Sequence, residues 1–427
     1  MVAIEYFYRY FYLSGELLEF IKTFQKNDIV FRIYKHMLIM KSDLPKLLLD
    51  IKEGIIDLGW GHPSARLHPL EKIKQSTLSM LGYDHAESLQ YGASQGYGPF
   101  IETLARFLSQ QKGYSNNKIF SNQLFITSGA SQAIDFICTL FTVAGDTVLV
   151  ENPTYFVVEG MLKSHKLNIT GVNCNENGLD IDDLEHKLKL GLKPKFLYTI
   201  PTFHNPTGTT MPSQNRERLV SLANKYNFYI VADEVYQFIY FNEPPPTSLL
   251  DYDTQGKVIS LGSFSKILAP GLRLGWIYSN PKLIKTFTDS PLAFSGGGLN
   301  HFTSTIVNEL IGMNLLESHI HELQNEYLHR ATVMDDALKQ YFNNSIEYIF
   351  PKGGYYFWIK FINKLDTSKF LKIAEEFGVS FRPGNFFTHT SDYDSFLRLT
   401  YTLYEPNDLV EGVKRLSKVF VNGHNLR

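Results

Sequence analysis

Three things are scarce in this chain. Cysteine is the first: Cys138 and Cys174 are the only two in 427 residues. Two thiols cannot make a disulfide framework, and a reducing compartment is expected. Cys138 sits in the apolar run 136–140 and reads as a small core residue. An excess of one charge is the second absence. The formal net charge is −2, which gives no electrostatic case for nucleic acid or a membrane surface. Long apolar runs are the third. Charges interrupt every one, so none reaches the roughly 20 residues a membrane helix needs. What remains, 44% hydrophobic and 20% charged, is ordinary globular chemistry, long enough for a large core and more than one domain.

The first forty residues stand apart. Tyr6-Phe7-Tyr8-Arg9-Tyr10-Phe11-Tyr12 is densely aromatic. No basic start, clean apolar centre and small-residue cleavage site follow one another as in a secretory signal. Glu5, Glu16, Glu19 and Asp28 are too acidic for a mitochondrial leader. Residues 1–40 are expected to be an atypical surface extension, or to precede a true start at Met37 or Met40. A cytoplasmic setting is expected, with the mitochondrion as the alternative.

Strand-like and helix-like runs alternate between residues 90 and 290. Strands are expected at 123–127, 147–150, 195–200, 228–232, 257–261 and 272–278, with helices at 131–142, 155–166, 181–190 and 212–226. This alternation predicts an α/β domain with a mostly parallel central sheet. One long helix is expected over 301–342. A smaller α/β unit follows, with strands at 354–359 and 396–401 and helices at 369–377 and 406–419. The segment 55–58 is expected to join it. The expected divisions are an extension at 1–40, a covering segment at 41–88, a large domain at 89–300, the linking helix, and a small domain at 343–427.

Every chemically suggestive motif follows one of these strands, and ligands of such sheets bind at the carboxyl ends of strands. Gly262-Ser263-Phe264-Ser265-Lys266 leads to Arg273-Leu274-Gly275-Trp276. It combines a lysine able to hold an aldehyde cofactor covalently with hydroxyls and an arginine able to hold a phosphate. Ser128-Gly129-Ala130-Ser131 opens a helix, where backbone N–H groups bind anions; Ser131 serves equally well as a plain helix cap. Asp233-Glu234-Val235-Tyr236 ends a buried strand, and a carboxylate there is costly unless paired. Arg398 interrupts the apolar strand Leu397-Arg398-Leu399-Thr400-Tyr401 and needs a bidentate partner, either a ligand or a structural carboxylate.

In order and spacing these motifs resemble the fold-type I pyridoxal-phosphate (PLP) aminotransferases of class I and II, from about residue 54 to 416. Leu89-Gln90-Tyr91-Gly92, the Lys266 segment and Ser295-Gly296-Gly297-Gly298-Leu299-Asn300 are similar to the branch of 2-aminoadipate and kynurenine aminotransferases. That branch also includes the effector domains of PLP-binding transcription regulators. The resemblance implies a large domain with a mostly parallel sheet plus a smaller α/β domain, pyridoxal 5'-phosphate as cofactor and a homodimer, with neither nucleic acid nor membrane as partner.

It also implies roles. Lys266 carries the cofactor and moves the proton. Asp233 faces the ring nitrogen, and Tyr236 and Asn205 the ring oxygen. Tyr155 stacks on the ring. Gly129, Ala130, Ser131, Ser263, Ser265 and Arg273 hold the phosphate, with Tyr91 reaching the phosphate of a second subunit. Arg398 and Gly61 meet the substrate α-carboxylate, with Asn205 beside them. Lys46, with Arg66 in reserve, is the candidate for a distal carboxylate; both also read as solvated charges. His62 and His204 lie near the site in sequence, and this chemistry requires neither. The leading expectation is transfer of an amino group between 2-aminoadipate or an aromatic amino acid and a 2-oxo acid such as 2-oxoglutarate. A β-lyase acting on cysteine conjugates and a non-enzymatic PLP sensor are the alternatives.

Overall fold

Short apolar runs without polar alternation suit strands covered on both faces, and such runs build the central sheet. A computed structural model describes residues 47–49, 51–82, 86–388 and 390–422. The expectations for residues 1–40 and for Lys46 lie outside them. Residues Met1–Lys52 and Glu53–Arg427 are separate units, and the second holds every element described below.

In chain order, β1 (Ile56–Asp57) precedes eight strands of one sheet: β2 (Leu124–Thr127), β3 (Thr147–Asn152), β4 (Asn168–Asn175), β5 (Gly178–Leu179), β6 (Phe196–Thr199), β7 (Tyr229–Asp233), β8 (Val258–Ser263) and β9 (Gly275–Ser279). Their spatial order is β2-β9-β8-β7-β6-β3-β4-β5. β8, β7, β6, β3 and β4 run parallel, and β9 runs antiparallel to both of its neighbours. β2 therefore points the same way as β8. The carboxyl ends of β2, β3, β6, β7 and β8 lie on one edge, and β9 enters the sheet at that edge. β2, β6 and β8 are buried throughout. Helix Ala130–Phe141 turns Ala133, Ile134, Phe136, Ile137 and Cys138 inward and packs on β8 and β9.

The second sheet is antiparallel, in the order β10 (Ile346–Glu347), β11 (Tyr356–Phe361), β14 (Phe396–Thr400), β13 (Arg382–Pro383). β12 (Val379–Ser380) pairs with β1 in parallel, which ties the segment 55–58 to this region. Helix Pro406–Asn422 packs along helix Leu315–Phe342. Among the described residues no helix is long and apolar enough to cross a membrane.

Three differences from expectation have physical causes. The single helix over 301–342 is two, His301–Gly312 and Leu315–Phe342, parted where Asn314 takes the left-handed conformation at φ +58°. Gly-Met-Asn is a helix-ending sequence. β9 starts at Gly275 rather than at residue 272, because Pro270–Leu272 is a 3₁₀ turn and Arg273 is left-handed at φ +47°. β4 has only one buried residue, Val172, among exposed and half-buried positions and no apolar signature, so periodicity passes it over.

Gly262 pairs directly with Trp276 across β8 and β9. A Cβ at Gly262 would lie 2.0 Å from the indole, whose Nε1–H donates to Tyr114 Oη at 2.8 Å. Gly262→Ala is expected to cost at least about 1–3 kcal/mol through overpacking, read as a lower urea midpoint. An unchanged midpoint would contradict this packing.

Candidate active site

The common edge of β2, β3, β6, β7 and β8 gathers the motif residues. Asp233 and Glu234 leave β7 as adjacent buried carboxylates, and strand alternation sends them to opposite faces. Glu234 is saturated. The hydroxyls of Ser248 and Ser260 and the N–H of Leu249 donate to it, and Arg216 lies 3.6 Å away. Asp233 is not. Tyr198 Oη, from β6, donates to Oδ2 at 2.7 Å, while Oδ1 is buried without a hydrogen-bond partner. Burial pushes the Asp233 carboxyl up to about 6, against the pull of the Tyr198 hydrogen bond, the Val235 N–H and the Lys266 charge. A cationic N–H donor against Oδ1 would satisfy both the atom and its charge.

Lys266 follows β8. Its Nζ donates to Gly61 O at 3.4 Å and lies over the rings of Tyr355 and Tyr236, at 4.9 and 5.6 Å from their centroids. Tyr355 Oη donates to Lys266 O, which fixes the lysine's backbone. Burial first, then the Arg398 and Arg273 charges, pull the Lys266 ammonium below its usual range, opposed by Tyr356 and Asp233. A lowered lysine is a better nucleophile and proton carrier near neutrality.

Arg273 closes over the start of helix Ala130–Phe141. Its guanidinium donates to Ser128 O at 3.3 Å and Ser265 Oγ at 3.5 Å. A Cβ on Gly129, at φ +88°, would lie 2.9 Å from Arg273 Nη2. Gly129, the N–H groups of Ala130 and Ser131, Ser265 and Arg273 form an anion cradle at a helix N-terminus. Asn300 Nδ2 donates to the carbonyls of Leu272 and Arg273 and holds the left-handed turn. Ser263 is one step removed, accepting the Ser265 N–H at 3.1 Å.

On the other side, Arg398 is buried in β14. Its Nη1 donates to Asn205 Oδ1 at 2.6 Å and its Nη2 to Gly59 O at 2.7 Å, while Nε has no partner. The guanidinium stacks 4.2 Å from the Tyr356 ring, and Tyr236 and Tyr356 share a hydroxyl hydrogen bond of 3.1 Å. Tyr155 stands at the start of helix Phe156–Ser164, its hydroxyl pushed up to about 12 by burial. A side chain at Gly61 would strike the Tyr356 hydroxyl. His204 lies 3.0 Å from Glu151 and bonds Thr207 Oγ1; it braces the turn that carries Asn205. His62 is held down at about 4 by burial and by Lys266 and Arg398.

Two expected positions stand outside this cluster. Tyr91 is 85% exposed, and the loop of Gly297 and Gly298 packs on its neighbour Gly92. Arg66 is exposed. The residues that sequence reasoning missed are Tyr198, Tyr355, Tyr356, Trp60 and Arg382. Gly353-Gly354-Tyr355-Tyr356 carried a signal in its paired glycines, and Arg382 in an arginine among apolar strand residues. Tyr198 carried none, because its partner is set by the register of β6 on β7.

The aminotransferase class I and II family model matches residues 53–416. The chain is 33% identical over 387 residues to aromatic-amino-acid aminotransferase 1 of Thermococcus litoralis, covering 89% of this chain and 91% of that protein. It is 30% identical over 391 residues to the 2-aminoadipate transaminase of Thermus thermophilus, covering 89% and 94%. The crystal structure of Pyrococcus horikoshii kynurenine aminotransferase in complex with PMP matches with a TM-score of 0.80 at 31% identity, over 97% of this chain and 98% of that one.

The raised Asp233 carboxyl sets a pH dependence of its own. The folded chain keeps this proton up to about pH 6, whereas the unfolded chain releases it near 3.8. Asp233 therefore costs stability progressively as pH rises through that window. In cofactor-free protein, the stability of Asp233→Asn relative to the unmodified chain is expected to improve by roughly 1–2 kcal/mol between pH 5 and 7.5. Urea denaturation at the two pH values reads it, and a difference that does not grow with pH would contradict the unpaired carboxylate.

Proposed function

The chain belongs to the class I and II aminotransferases, and on that premise we propose that it moves an amino group between 2-aminoadipate or an aromatic amino acid and a 2-oxo acid such as 2-oxoglutarate. It is a PLP-dependent transaminase. The relatives named for aromatic amino acids and for 2-aminoadipate support this pair of donor classes. The observation that carries the assignment to this chain's own residues is the unpartnered Oδ1 of Asp233. It fits a protonated ring nitrogen, and the cradle of Gly129, Ser265 and Arg273 fits the phosphate of the same molecule. PMP in the related kynurenine aminotransferase is the amine form of that cofactor.

Bound there, pyridoxal phosphate supplies an electron-withdrawing ring that stabilises negative charge at the substrate Cα. The protein's residues do the rest. Asp233, ionised against the ring N–H, keeps that proton in place, and Tyr198 fixes the carboxylate's orientation. Tyr155 would lie against the ring face, and Tyr236 and Asn205 would offer hydrogen bonds to the ring oxygen. Lys266 Nζ, once free, would be the base that takes the proton from the substrate Cα. Arg398 would receive the α-carboxylate of donor and acceptor alike, with the backbone at Gly61 beside it. The Asn205 bond at one edge of the guanidinium holds its plane for a bidentate contact.

The working form we propose is a homodimer. Exposed Tyr91 and the 295–300 loop would complete the partner's site, as isologous contacts do. A fully active monomer in solution would contradict this.

Borohydride reduction and peptide mapping are expected to place the pyridoxyl group on Lys266. Lys266→Ala should lose at least about 10²–10⁴-fold in turnover, since no other group carries the proton. A label on a different lysine would overturn the assignment. Arg398→Ala should raise KM for amino and oxo acids together; an effect on one substrate alone would move the α-carboxylate elsewhere.

A further inference from the structure

Arg382 is the next cation along the second sheet from Arg398. The two are direct partners in register across β13 and β14, so their side chains leave the same face with Cβ atoms about 4.5–5.5 Å apart. Arg398 gives one N–H each to Asn205 and Gly59 and keeps its remaining donors for the α-carboxylate. Arg382 is not committed. Its one hydrogen bond among the described residues goes to the carbonyl of its own neighbour, Phe381, at 3.4 Å. The nearest carboxylate oxygen, Asp57 Oδ2, is 3.9 Å from Nη1, beyond the roughly 2.7–2.9 Å of a charge-assisted hydrogen bond. The other Asp57 oxygen is taken by the Gly59 N–H at 2.8 Å.

The fully buried Arg216 and Arg330 behave differently. Arg216 donates to Met211 O, Thr247 O, Pro201 O and Thr202 Oγ1. Arg330 donates to Glu326, Glu405 and the carbonyls of Thr402 and Tyr404. Those arginines are structural and spend their donors on the protein. Arg382 keeps most of its donors, with its side chain 19% exposed.

What orients Arg382 is Trp60. The guanidinium carbon lies 5.0 Å from the centre of the Trp60 ring, a stacking geometry that leaves the edge N–H groups free. Trp60 stands between Gly59, whose carbonyl Arg398 holds, and Gly61, whose carbonyl Lys266 holds. The plate of Trp60 and Arg382 is therefore built into the wall of the substrate site, one strand away from the α-carboxylate arginine. Among the described residues no carboxylate claims it at hydrogen-bonding distance, the nearest being Asp57 at 3.9 Å.

We infer that Arg382, laid on Trp60, is the specificity-determining residue that takes the distal carboxylate of dicarboxylic amino and oxo acids. This deepens the aminotransferase reading and rests on it. It moves the distal-carboxylate role from Lys46, outside the described residues, and from exposed Arg66 to a residue beside the reaction centre.

The test compares two probes of equal carbon number on the holoenzyme, adipate and hexanoate, by calorimetric titration. The unmodified protein is expected to bind adipate at least about 10-fold more tightly, the usual scale of one charge-assisted contact. In Arg382→Gln that preference should collapse through weaker adipate binding, with hexanoate changed less than about 2-fold. Arg382→Lys keeps the charge but loses the planar fork and the stack. It serves if the glutamine variant does not fold, and it should weaken adipate selectively as well. No adipate preference in the unmodified protein, equal weakening of both probes, or unchanged adipate affinity in the variants would overturn the inference. The transaminase reading fails separately. If amino acids leave the cofactor absorbance of the unmodified protein unchanged while the adipate contrast holds, that reading falls and Arg382 remains a dicarboxylate clamp.

Discussion

A carboxylate buried at the end of a central strand, with one oxygen bonded and the other bare, is the constraint around which this site is arranged. Asp233 costs the cofactor-free protein stability, and the Tyr198 hydrogen bond from β6 relieves it only in part. Glu234, one residue on, shows how the same chain treats a carboxylate that belongs to the scaffold: hydroxyls, a backbone N–H and an arginine surround it. Two adjacent acids in opposite states of satisfaction separate architecture from chemistry at one strand end. Everything else at the edge is placed relative to Asp233. Tyr198 aims it, Lys266 stands close enough to be raised by its charge, and the anion cradle lies where β2 ends and β9 begins.

The second constraint is crowding of positive charge. Lys266, Arg273, Arg398 and Arg382 converge on one site, and burial first, then repulsion between the cations, pulls both Lys266 and Arg398 down. Such a cluster suits a substrate and cofactor that bring several anionic groups. Aromatic rings separate the cations. Tyr355 and Tyr236 face Lys266, Tyr356 and Phe387 face Arg398, and Trp60 faces Arg382. Each ring offers a negative π face to its cation while keeping water out. The same rings would give an apolar substrate side chain a surface to lie on.

Much of this was legible in the sequence, and the limits are instructive. The inner strands were readable because continuous apolar runs are what a doubly covered sheet requires. Lys266, Asp233, Asn205 and Arg273 stood out because polar and charged groups interrupt such runs at their ends. Tyr198 was hidden inside a strand, where a tyrosine reads as core; its bond to Asp233 exists only through the pairing of β6 with β7. Trp60 and Arg382 are 322 positions apart in the chain numbering, and only the meeting of β13 with β14 and of β1 with β12 brings them together. The break at Asn314 was written in Gly312-Met313-Asn314, but the apolar periodicity on both sides masked it. Local chemistry was readable, and contacts made by register were not.

The most direct measurement of the central claim is the ¹⁵N chemical shift of the ring nitrogen in holoenzyme reconstituted with labelled pyridoxal phosphate, followed from pH 6 to 9. If Asp233 Oδ1 is the partner of that nitrogen, the shift should report a protonated ring across the whole range. A nitrogen that is unprotonated, or that titrates as it does in the free cofactor, would contradict the account.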